Sequence, residues 1–311
     1  MFNHTSVLLH ESVEALNIKP DGIYVDATMG GGGHSSLILE SLTTGRLIGF
    51  DQDEVAIKHN QEKFENDDRV TIIKSNFKNL KSELDKIGIT KIDGIIYDLG
   101  VSSMQIDESE RGFSYMLDAQ LDMRMDQSQA LNAYDVVNTM SEKDLTKIFK
   151  DYGEEKFSKQ IASAIVNKRT QAPITTTLEL VEVIKGAIPK KFFYKLTSHP
   201  AKKVFQALRI YVNQELNVFK ISVDDAFELL NVDGRISVIT FHSLEDRICK
   251  TTFKELSSVD PSLKDLPVIP QDLQAKGKVI TNKPILPSKE ELEHNSRARS
   301  AKLRVIERIK E

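Results

Sequence analysis

Short apolar runs alternate with amphipathic stretches along the first hundred residues of the chain. The runs are rich in β-branched residues and predict four strands, at residues 23–27, 46–51, 70–74 and 92–98. Between them, apolar positions repeat at helical spacing and predict helices at about 34–43, 54–64 and 77–86. Strands that alternate with helices in this way predict a parallel sheet with right-handed crossovers.

The pattern changes after Leu99. Residues 104–198 carry little strand signal, whereas Ser141 precedes an apolar series at helical spacing, as an N-cap precedes a helix. Alternation then returns, with helices predicted at 204–219, 223–230 and 244–256, a turn at Asp233-Gly234, a strand at 235–241 and a terminal hairpin formed by 278–281 and 303–309. We therefore predict an α/β domain, residues 1–103 and 199–311, with a helical domain inserted at 104–198.

Composition excludes several classes of protein. The 311 residues include a single cysteine, Cys249, so no internal disulfide can form. No apolar run approaches the roughly 20 residues that a membrane span requires. We expect a cytoplasmic protein that has no membrane partner, and the sequence does not determine its oligomeric state.

Charge is distributed unevenly along the chain. The 42 basic and 46 acidic residues give a net charge of −4, but residues 150–215 hold 12 basic and 6 acidic residues, and residues 276–311 hold 10 and 5. Between Lys185 and Arg209 there are seven basic residues, interleaved with aromatic ones, and no acidic residue. Such a face fits nucleic-acid phosphates, although an ordinary solvated helix surface is the alternative.

A glycine-rich segment follows the first predicted strand. Asp26 ends that strand, and four glycines occupy residues 30–33. Glycines allow the backbone to approach a ligand closely and to adopt positive φ. Phosphate binding at a helix N-terminus is one possibility. The spacing Asp-x-Thr-x-Gly-x-Gly fits better with the acidic, glycine-rich loop of S-adenosylmethionine (SAM) enzymes, with Thr28 in place of the usual first glycine.

The ends of the next three strands supply further candidates. Asp51 lies where a carboxylate accepts hydrogen bonds from ribose hydroxyls, with Asp53 as the alternative, and either residue could instead cap the next helix. Phe77 could pack on an adenine or belong to the core. NAD enzymes share these features. The polar tip that begins at Asp98 favours SAM, unless Asp98 only caps a turn.

Nine blocks of sequence, spread nearly end to end, carry a resemblance to a known family. They lie at residues 4–9, 26–35, 98–103, 111–114, 121–126, 152–155, 205–210, 241–247 and 296–304. In these blocks the sequence resembles the bacterial 16S ribosomal RNA cytosine-N4 methyltransferases, the ribosomal small-subunit methyltransferase H family (RsmH/MraW type).

The resemblance implies a class I SAM-methyltransferase (Rossmann-like) fold with an inserted helical domain that recognises substrate. It implies SAM as the cofactor, and a cytidine in the decoding region of 16S rRNA, within the small ribosomal subunit, as the acceptor. The residues implied to contact SAM are Gly32, Gly33, His34, Asp51, Phe77, Asp98 and Gln105.

Cytosine N4 is a poor nucleophile because its lone pair is delocalised into the ring. Related amino methyltransferases accept hydrogen bonds from the amine with an Asp or Asn side chain, often followed by Pro-Pro-aromatic, which this chain lacks after Asp98. Asp98 is the first catalytic candidate, although its implied SAM contact competes with that role. Ser102 is a weaker one, and His242 could orient the base. No motif with metal-ligand spacing is visible.

Basic residues of the insertion and of the C-terminal segment are the candidates for binding RNA phosphates. They are Lys190, Lys191, Lys195, Lys202, Lys203, Arg209, Arg247, Arg297 and Arg299. Two other functions stay open. One is the same fold acting on DNA or another nucleobase, and the other is a ribosome-assembly factor that does not need catalysis.

Overall fold

The computed structural model describes residues 6–101, 109–259, 270 and 274–311. Its strands are β1 (Ile23–Asp26), β2 (Arg46–Asp51), β3 (Val70–Lys74), β4 (Ile92–Asp98), β5 (Leu230–Thr240), β6 (Gly277–Val279) and β7 (Lys302–Arg308). They form a seven-stranded sheet in the order β3-β2-β1-β4-β5-β7-β6. Strands β1 to β5 are parallel, and β7 pairs antiparallel with β5 and β6. The predicted fold class, a parallel sheet with an antiparallel terminal hairpin, is confirmed.

Thirteen α-helices lie within the described part of the chain. They are α1 (Leu9–Glu14), α2 (Gly33–Ser41), α3 (Glu54–Lys63), α4 (Leu80–Lys86), α5 (Ala133–Thr139), α6 (Glu142–Asp151), α7 (Ser158–Arg169), α8 (Thr177–Ala187), α9 (Lys190–Phe193), α10 (Lys202–Asn213), α11 (Glu215–Leu229), α12 (Ser243–Leu256) and α13 (Lys289–His294). Short 3₁₀ turns occur at Phe77–Asn79, Ser109–Arg111 and Ser296–Ser300. None of the described helices is long and apolar enough to cross a membrane.

The chain divides into two compact units, residues 1–100 with 216–311, and residues 101–215. The sheet unit has a core in which β4 is central, because Ile92, Ile95 and Tyr97 are fully buried. The helical unit has a separate core that includes Leu145 and Phe149 of α6. Our predicted boundary at residue 199 differs from this division, because α10 packs with the helical unit.

Two predicted elements differ from the structure. The turn expected at Asp233-Gly234 lies inside β5, where the register with β4 shifts between Ile92 and Gly94 and Asp233 adopts a φ of 67°. The helix predicted at 204–219 ends instead at Asn213, because Gln214 takes a left-handed conformation with φ 51° and α11 begins at Glu215. The gap predicted between this helix and the next one, at 223–230, is also absent, because α11 runs without a break from Glu215 to Leu229.

Candidate functional site

Three carboxylates meet at the carboxyl edge of the sheet. Asp26, Asp51 and Asp98 end the neighbouring strands β1, β2 and β4. The loop after β1 is tied to both neighbours, since Thr28 Oγ1 accepts a hydrogen bond from the backbone N–H of Asp98 at 2.6 Å and Gly30 N–H donates to Asp51 Oδ2 at 2.9 Å. Thr28, the departure from the usual glycine, therefore joins the loop to the tip of β4.

Helix α3 holds the glycine loop from the side. Asn60 Nδ2 donates to the Gly30 carbonyl at 2.7 Å, and Lys63 Nζ donates to the carbonyls of Gly31 and Gly32 at 3.1 and 2.8 Å. Desolvation lowers the pKa of Lys63. Three consecutive carbonyl oxygens thus accept hydrogen bonds from one helix, and this fixes the direction in which the loop presents its peptide groups.

The glycines of this loop differ in how much space the protein leaves for a side chain. Gly32 has a φ of 70°, and a Cβ there would lie 2.2 Å from Asn60 Oδ1. A Cβ on Gly33 would lie 2.0 Å from Ser6 Oγ, whereas a Cβ on Gly31 would meet nothing within 4 Å. Gly32 and Gly33 are both predicted as cofactor contacts. Gly32 is also required by its positive φ and by packing, whereas the atom opposite Gly33 is a serine hydroxyl that can rotate.

Asp51 accepts two backbone hydrogen bonds, from Gly30 to Oδ2 and from Asp53 to Oδ1, each at 2.9 Å. Desolvation raises its pKa to about 6 despite these hydrogen bonds. Each carboxylate oxygen keeps a second lone pair, so Asp51 can still accept hydrogen bonds from a ligand. Asp53, the alternative, is the N-cap of α3 and accepts a hydrogen bond from Val55 N–H at 3.0 Å.

Within the part of the chain that the structure describes, no group donates a hydrogen bond to one oxygen of Asp98. Its Oδ1 is buried and has no hydrogen-bond partner, while Oδ2 lies 3.8 Å from His34 Nδ1. Desolvation raises the pKa of Asp98 to about 6, with Asp26 and Glu245 contributing repulsion. His34 Nε2 lies 3.2 Å from the Val7 carbonyl, and since a carbonyl only accepts, this nitrogen carries a proton.

Phe77 begins the 3₁₀ turn after β3 and is half-buried. Its ring meets Tyr97 edge to face, with centroids 5.6 Å apart. Phe77 also packs against the main core of the sheet unit. One part of the Phe77 ring therefore belongs to the core. The other part is accessible to solvent and could pack on an adenine.

His242 lies after β5 at the same edge of the sheet, where it caps α12. Its side chain accepts a hydrogen bond from Glu245 N–H at 3.4 Å, and Glu245 Oε2 accepts one from Phe241 N–H at 2.8 Å. Nε2 of His242 lies 3.1 Å from Glu245 Oε1, but it is buried and makes no hydrogen bond. His242, rather than the neighbouring Ser243, therefore caps α12.

The predicted RNA-binding residues differ in how far protein contacts engage them. Lys190, Lys191, Lys195 and Lys202 are exposed, as are Arg247 and Arg299, and Arg297 is half-buried. Lys203 Nζ donates to the Glu154 carbonyl at 2.9 Å. Arg209 forms a two-pronged ion pair with Glu215 at 2.8 and 2.9 Å, so its guanidinium serves the structure of the helical unit.

Ser102 and Gln105 lie outside the described residues. Sequence reasoning missed three residues that shape the site, namely Thr28 as a link to β4, and Asn60 and Lys63 as supports of the loop. The sequence pattern places Asn60 and Lys63 on the polar face of the predicted helix 54–64. It does not predict their contacts, because these depend on how α3 packs beside the loop.

Residues 1–309 match a protein-family model described as the MraW methylase family. Among solved structures, the chain is similar to an rRNA methylase from Streptococcus thermophilus, with 11% identity, coverage of 100% of this chain and 99% of that chain, and a TM-score of 0.46. It is also similar to a SAM-dependent O-methyltransferase from Thermotoga maritima, with 10% identity, coverage of 100% and 69%, and a TM-score of 0.41.

Proposed function

The chain belongs to the MraW methylase family and is a SAM-dependent methyltransferase, and we propose that it methylates N4 of a cytidine in the decoding region of 16S rRNA, within the small ribosomal subunit. The observation that carries the proposal is the buried, unpartnered Oδ1 of Asp98. A hydrogen-bond acceptor left unsatisfied at the carboxyl edge of the sheet is suited to an N–H group of a ligand. The sequence blocks quoted above favour cytidine N4 as the acceptor.

The charges of the site fit SAM. Burial raises the pKa of Asp26, and burial together with neighbouring carboxylates raises the pKa of Asp51 and Asp98. Such a cluster repels itself when ionised, so it favours a cationic ligand. When bound, SAM supplies an electrophilic methyl group on a positively charged sulfur. Asp51 would accept hydrogen bonds from the ribose, and the peptide groups of the loop would hold the methionine part.

Asp98 has two competing roles in this proposal. A carboxylate that accepts a hydrogen bond from the exocyclic amine concentrates the nitrogen lone pair out of the ring plane, towards the methyl donor. The same oxygen could instead accept from the ammonium of the cofactor. In either role Asp98 acts only when it is ionised. Transfer of a methyl group disperses charge rather than creating it, so alignment of donor and acceptor supplies much of the rate.

His242 and Ser102 are secondary candidates. The imidazole of His242 is fixed by Glu245, and its buried Nε2 makes no hydrogen bond, so it could donate to a carbonyl or ring nitrogen of the base. Its fixed orientation suits positioning of a base better than proton transfer. Ser102 stays a prediction from sequence.

The test is methyl transfer from labelled SAM to purified small subunits that lack the modification, followed by mass spectrometry of the nucleosides. N4-methylcytidine is the expected product. Label at another atom would contradict the N4 proposal. Asp98→Ala, compared with Lys58→Ala on the exposed face of α3, separates loss of the site from loss of the fold.

Two alternatives predict other results. An enzyme for DNA or another nucleobase would transfer label to naked DNA, or to a different base, in preference to small subunits. An assembly factor that does not need catalysis would bind SAM and subunits without transferring label, and Asp98→Ala would leave assembly intact. The carboxylate cluster and the unsatisfied Asp98 oxygen favour a catalyst over a factor that only binds.

A further inference from the structure

An exposed aromatic and basic segment lies between α8 and α10 in the helical unit. It spans residues 190–196, and its side chains Phe192, Tyr194 and Leu196 are 40%, 87% and 38% exposed. Single exposed apolar residues are ordinary on a protein surface, but three within five residues form a patch. Patches of this kind mark places where a partner binds.

The backbone under this patch is held in place. Phe193 packs against the core of the helical unit, and the ring of Phe192 meets that of Phe157 with centroids 5.4 Å apart. Backbone hydrogen bonds join Phe192 N–H to the Pro189 carbonyl at 2.9 Å and Lys195 N–H to the Phe192 carbonyl at 2.9 Å. The edge-to-face contact of Tyr194 with Phe193, at 6.2 Å and 83°, supports one side of the tyrosine ring. The remaining ring surface faces solvent.

The charge around Tyr194 is positive and uncompensated locally. Lys190, Lys191 and Lys195 are exposed, and none of the three has an ion-pair partner among residues 6–101, 109–259, 270 and 274–311. Many other surface lysines do, such as Lys86 with Glu83 and Lys220 with Asp224. The ammonium group of Lys191 also lies over the ring of Phe192, 5.0 Å from its centre. An aromatic face flanked by ammonium groups is the arrangement that binds single-stranded nucleic acid by stacking and by phosphate contacts.

We propose that residues 190–196 bind an unpaired strand of the RNA substrate, with Tyr194 stacked on a base and Lys190, Lys191 and Lys195 on neighbouring phosphates. The inference rests on the proposed function for the identity of the strand. It adds a stacking contact and assigns it to one residue, Tyr194, which the sequence analysis did not single out. Stacking tolerates any base, so this surface supplies affinity and position rather than sequence preference.

The first test compares Tyr194→Ala, Tyr194→Phe and Tyr134→Ala in the full chain. Tyr134 is the matched control, since it is also an exposed tyrosine of the helical unit. Fluorescence anisotropy with a short single-stranded oligoribonucleotide should show affinity about 5- to 100-fold weaker for Tyr194→Ala. Tyr194→Phe should bind within about twofold of the wild type because it keeps the ring. Equal affinities for Tyr194→Ala and Tyr134→Ala would overturn the proposal.

The second test replaces Lys190, Lys191 and Lys195 together by glutamine. The control replaces Lys143, Lys147 and Lys150, which are exposed on α6 beside Glu142, Asp144 and Asp151. The slope of log affinity against log salt should fall by about 2 for the first triple variant, because each phosphate contact to a single strand contributes about 0.7. An unchanged slope would exclude the phosphate contacts.

Activity measurements separate this inference from the proposed function. With small subunits as substrate, Tyr194→Ala should raise KM while kcat and SAM affinity stay unchanged, because the surface is not part of the cofactor site. If the wild type methylates N4 and Tyr194→Ala has the same KM, the proposed RNA-binding role of residues 190–196 is refuted, but the proposed reaction is not. Oligoribonucleotide binding that depends on Tyr194, without N4 transfer, would refute the proposed reaction alone. Tyr194-dependent binding to vesicles of phosphatidylglycerol and phosphatidylcholine, without RNA binding, would assign the surface to a membrane instead.

Discussion

At the scale of single residues, the site places carboxylates where their ionised forms are disfavoured. Asp98 illustrates this, since its backbone N–H is held by Thr28 while its Oδ1 has no partner. A buried acceptor without a partner costs free energy in the protein alone, on the order of 1–3 kcal/mol, and regains it when a ligand donates to it. This local instability is the physical reason to assign Asp98 a functional role.

Asp98→Ala should lower methyl transfer by about 100- to 1,000-fold, the usual cost of losing one fixed hydrogen-bonding group at a reaction centre. Asp98→Asn should lose nearly as much, because its amide oxygen still accepts an N–H but the negative charge is gone. Since the carboxylate must be ionised and its pKa is raised to about 6, kcat/KM of the wild type should rise with pH through about 6 and level off above it. Single-turnover rates across pH 5 to 8.5 give this profile.

SAM affinity distinguishes the two roles of Asp98. If Asp98 acts on the acceptor amine, Asp98→Ala should keep SAM binding within a few-fold while transfer is lost. A parallel loss of SAM affinity would assign the residue to the cofactor. A wild-type profile that is flat across pH 6 would contradict both roles.

The sequence shows which residues end the strands, but it does not show which contacts those residues make. The glycines at 32 and 33 were predicted from ligand approach, whereas Asn60 Oδ1 and Ser6 Oγ already fill the space of any Cβ. Chain proximity cannot reveal these contacts, since the partners are 28 and 27 positions away. The identity of a strand-end residue is visible in the sequence, but its neighbours across the fold are not.

At the scale of elements, strands β2, β3 and β4 agree with the prediction at both ends, because each appears in the sequence as a short apolar run rich in β-branched or aromatic residues. The predicted elements were wrong where the backbone departs from regular strand or helix geometry. The irregular start of β5 holds Asp233-Gly234, a pair that ordinarily signals a turn, and here it lies in the register shift between the pairs Ile92–Leu230 and Gly94–Arg235. The left-handed conformation of Gln214, which ends α10, is not predicted by the sequence, because glutamine rarely adopts it.

Helix α3 is an element with two functions, since it covers the sheet and supports the loop. Lys63→Met keeps the aliphatic stem and removes two hydrogen bonds to the Gly31 and Gly32 carbonyls. We expect SAM affinity to fall about 5- to 30-fold, as expected for bonds from a charged group to carbonyls that water can partly satisfy. Isothermal titration should show this for Lys63→Met and no change for Lys58→Met on the same helix. Equal affinities would mean that the loop does not need this support.

The joint between α10 and α11 gives a stability prediction. Gln214 is exposed and has a φ of 51°, a conformation that glycine adopts without strain. Gln214→Gly should raise the free energy of unfolding by about 0.5–1 kcal/mol. Lys147→Gly, in the exposed interior of α6, should lower it by about 1 kcal/mol. Urea midpoints of the two variants should therefore move in opposite directions, and a lower midpoint for Gln214→Gly would contradict the strain.

At the scale of the whole molecule, formal charge overstates the basic surface. Residues 276–311 hold 10 basic residues, but Lys302 and Arg304 both pair with Asp246, and Arg308 donates to the carbonyls of Phe227 and Glu228. These cations join the terminal hairpin to the rest of the sheet unit. The exposed lysines at 190–195 therefore make up a larger share of the positive charge available to a polyanion than the count along the chain suggests.

The carboxylates at the sheet edge couple the stability of the sheet unit to pH and to cofactor. Because the pKa values of Asp51 and Asp98 are raised to about 6, their protonated forms stabilise the folded chain at low pH, and this contribution is lost as pH rises through 6. A cationic ligand reverses that trend, since it binds more tightly to the ionised cluster. The increase in Tm caused by saturating SAM should therefore be larger at pH 7.5 than at pH 5.5. S-adenosylhomocysteine lacks the sulfonium charge, so the increase in Tm that it causes should differ less between the two pH values. If this difference is the same for the two ligands, the carboxylates do not respond to the charge of the cofactor.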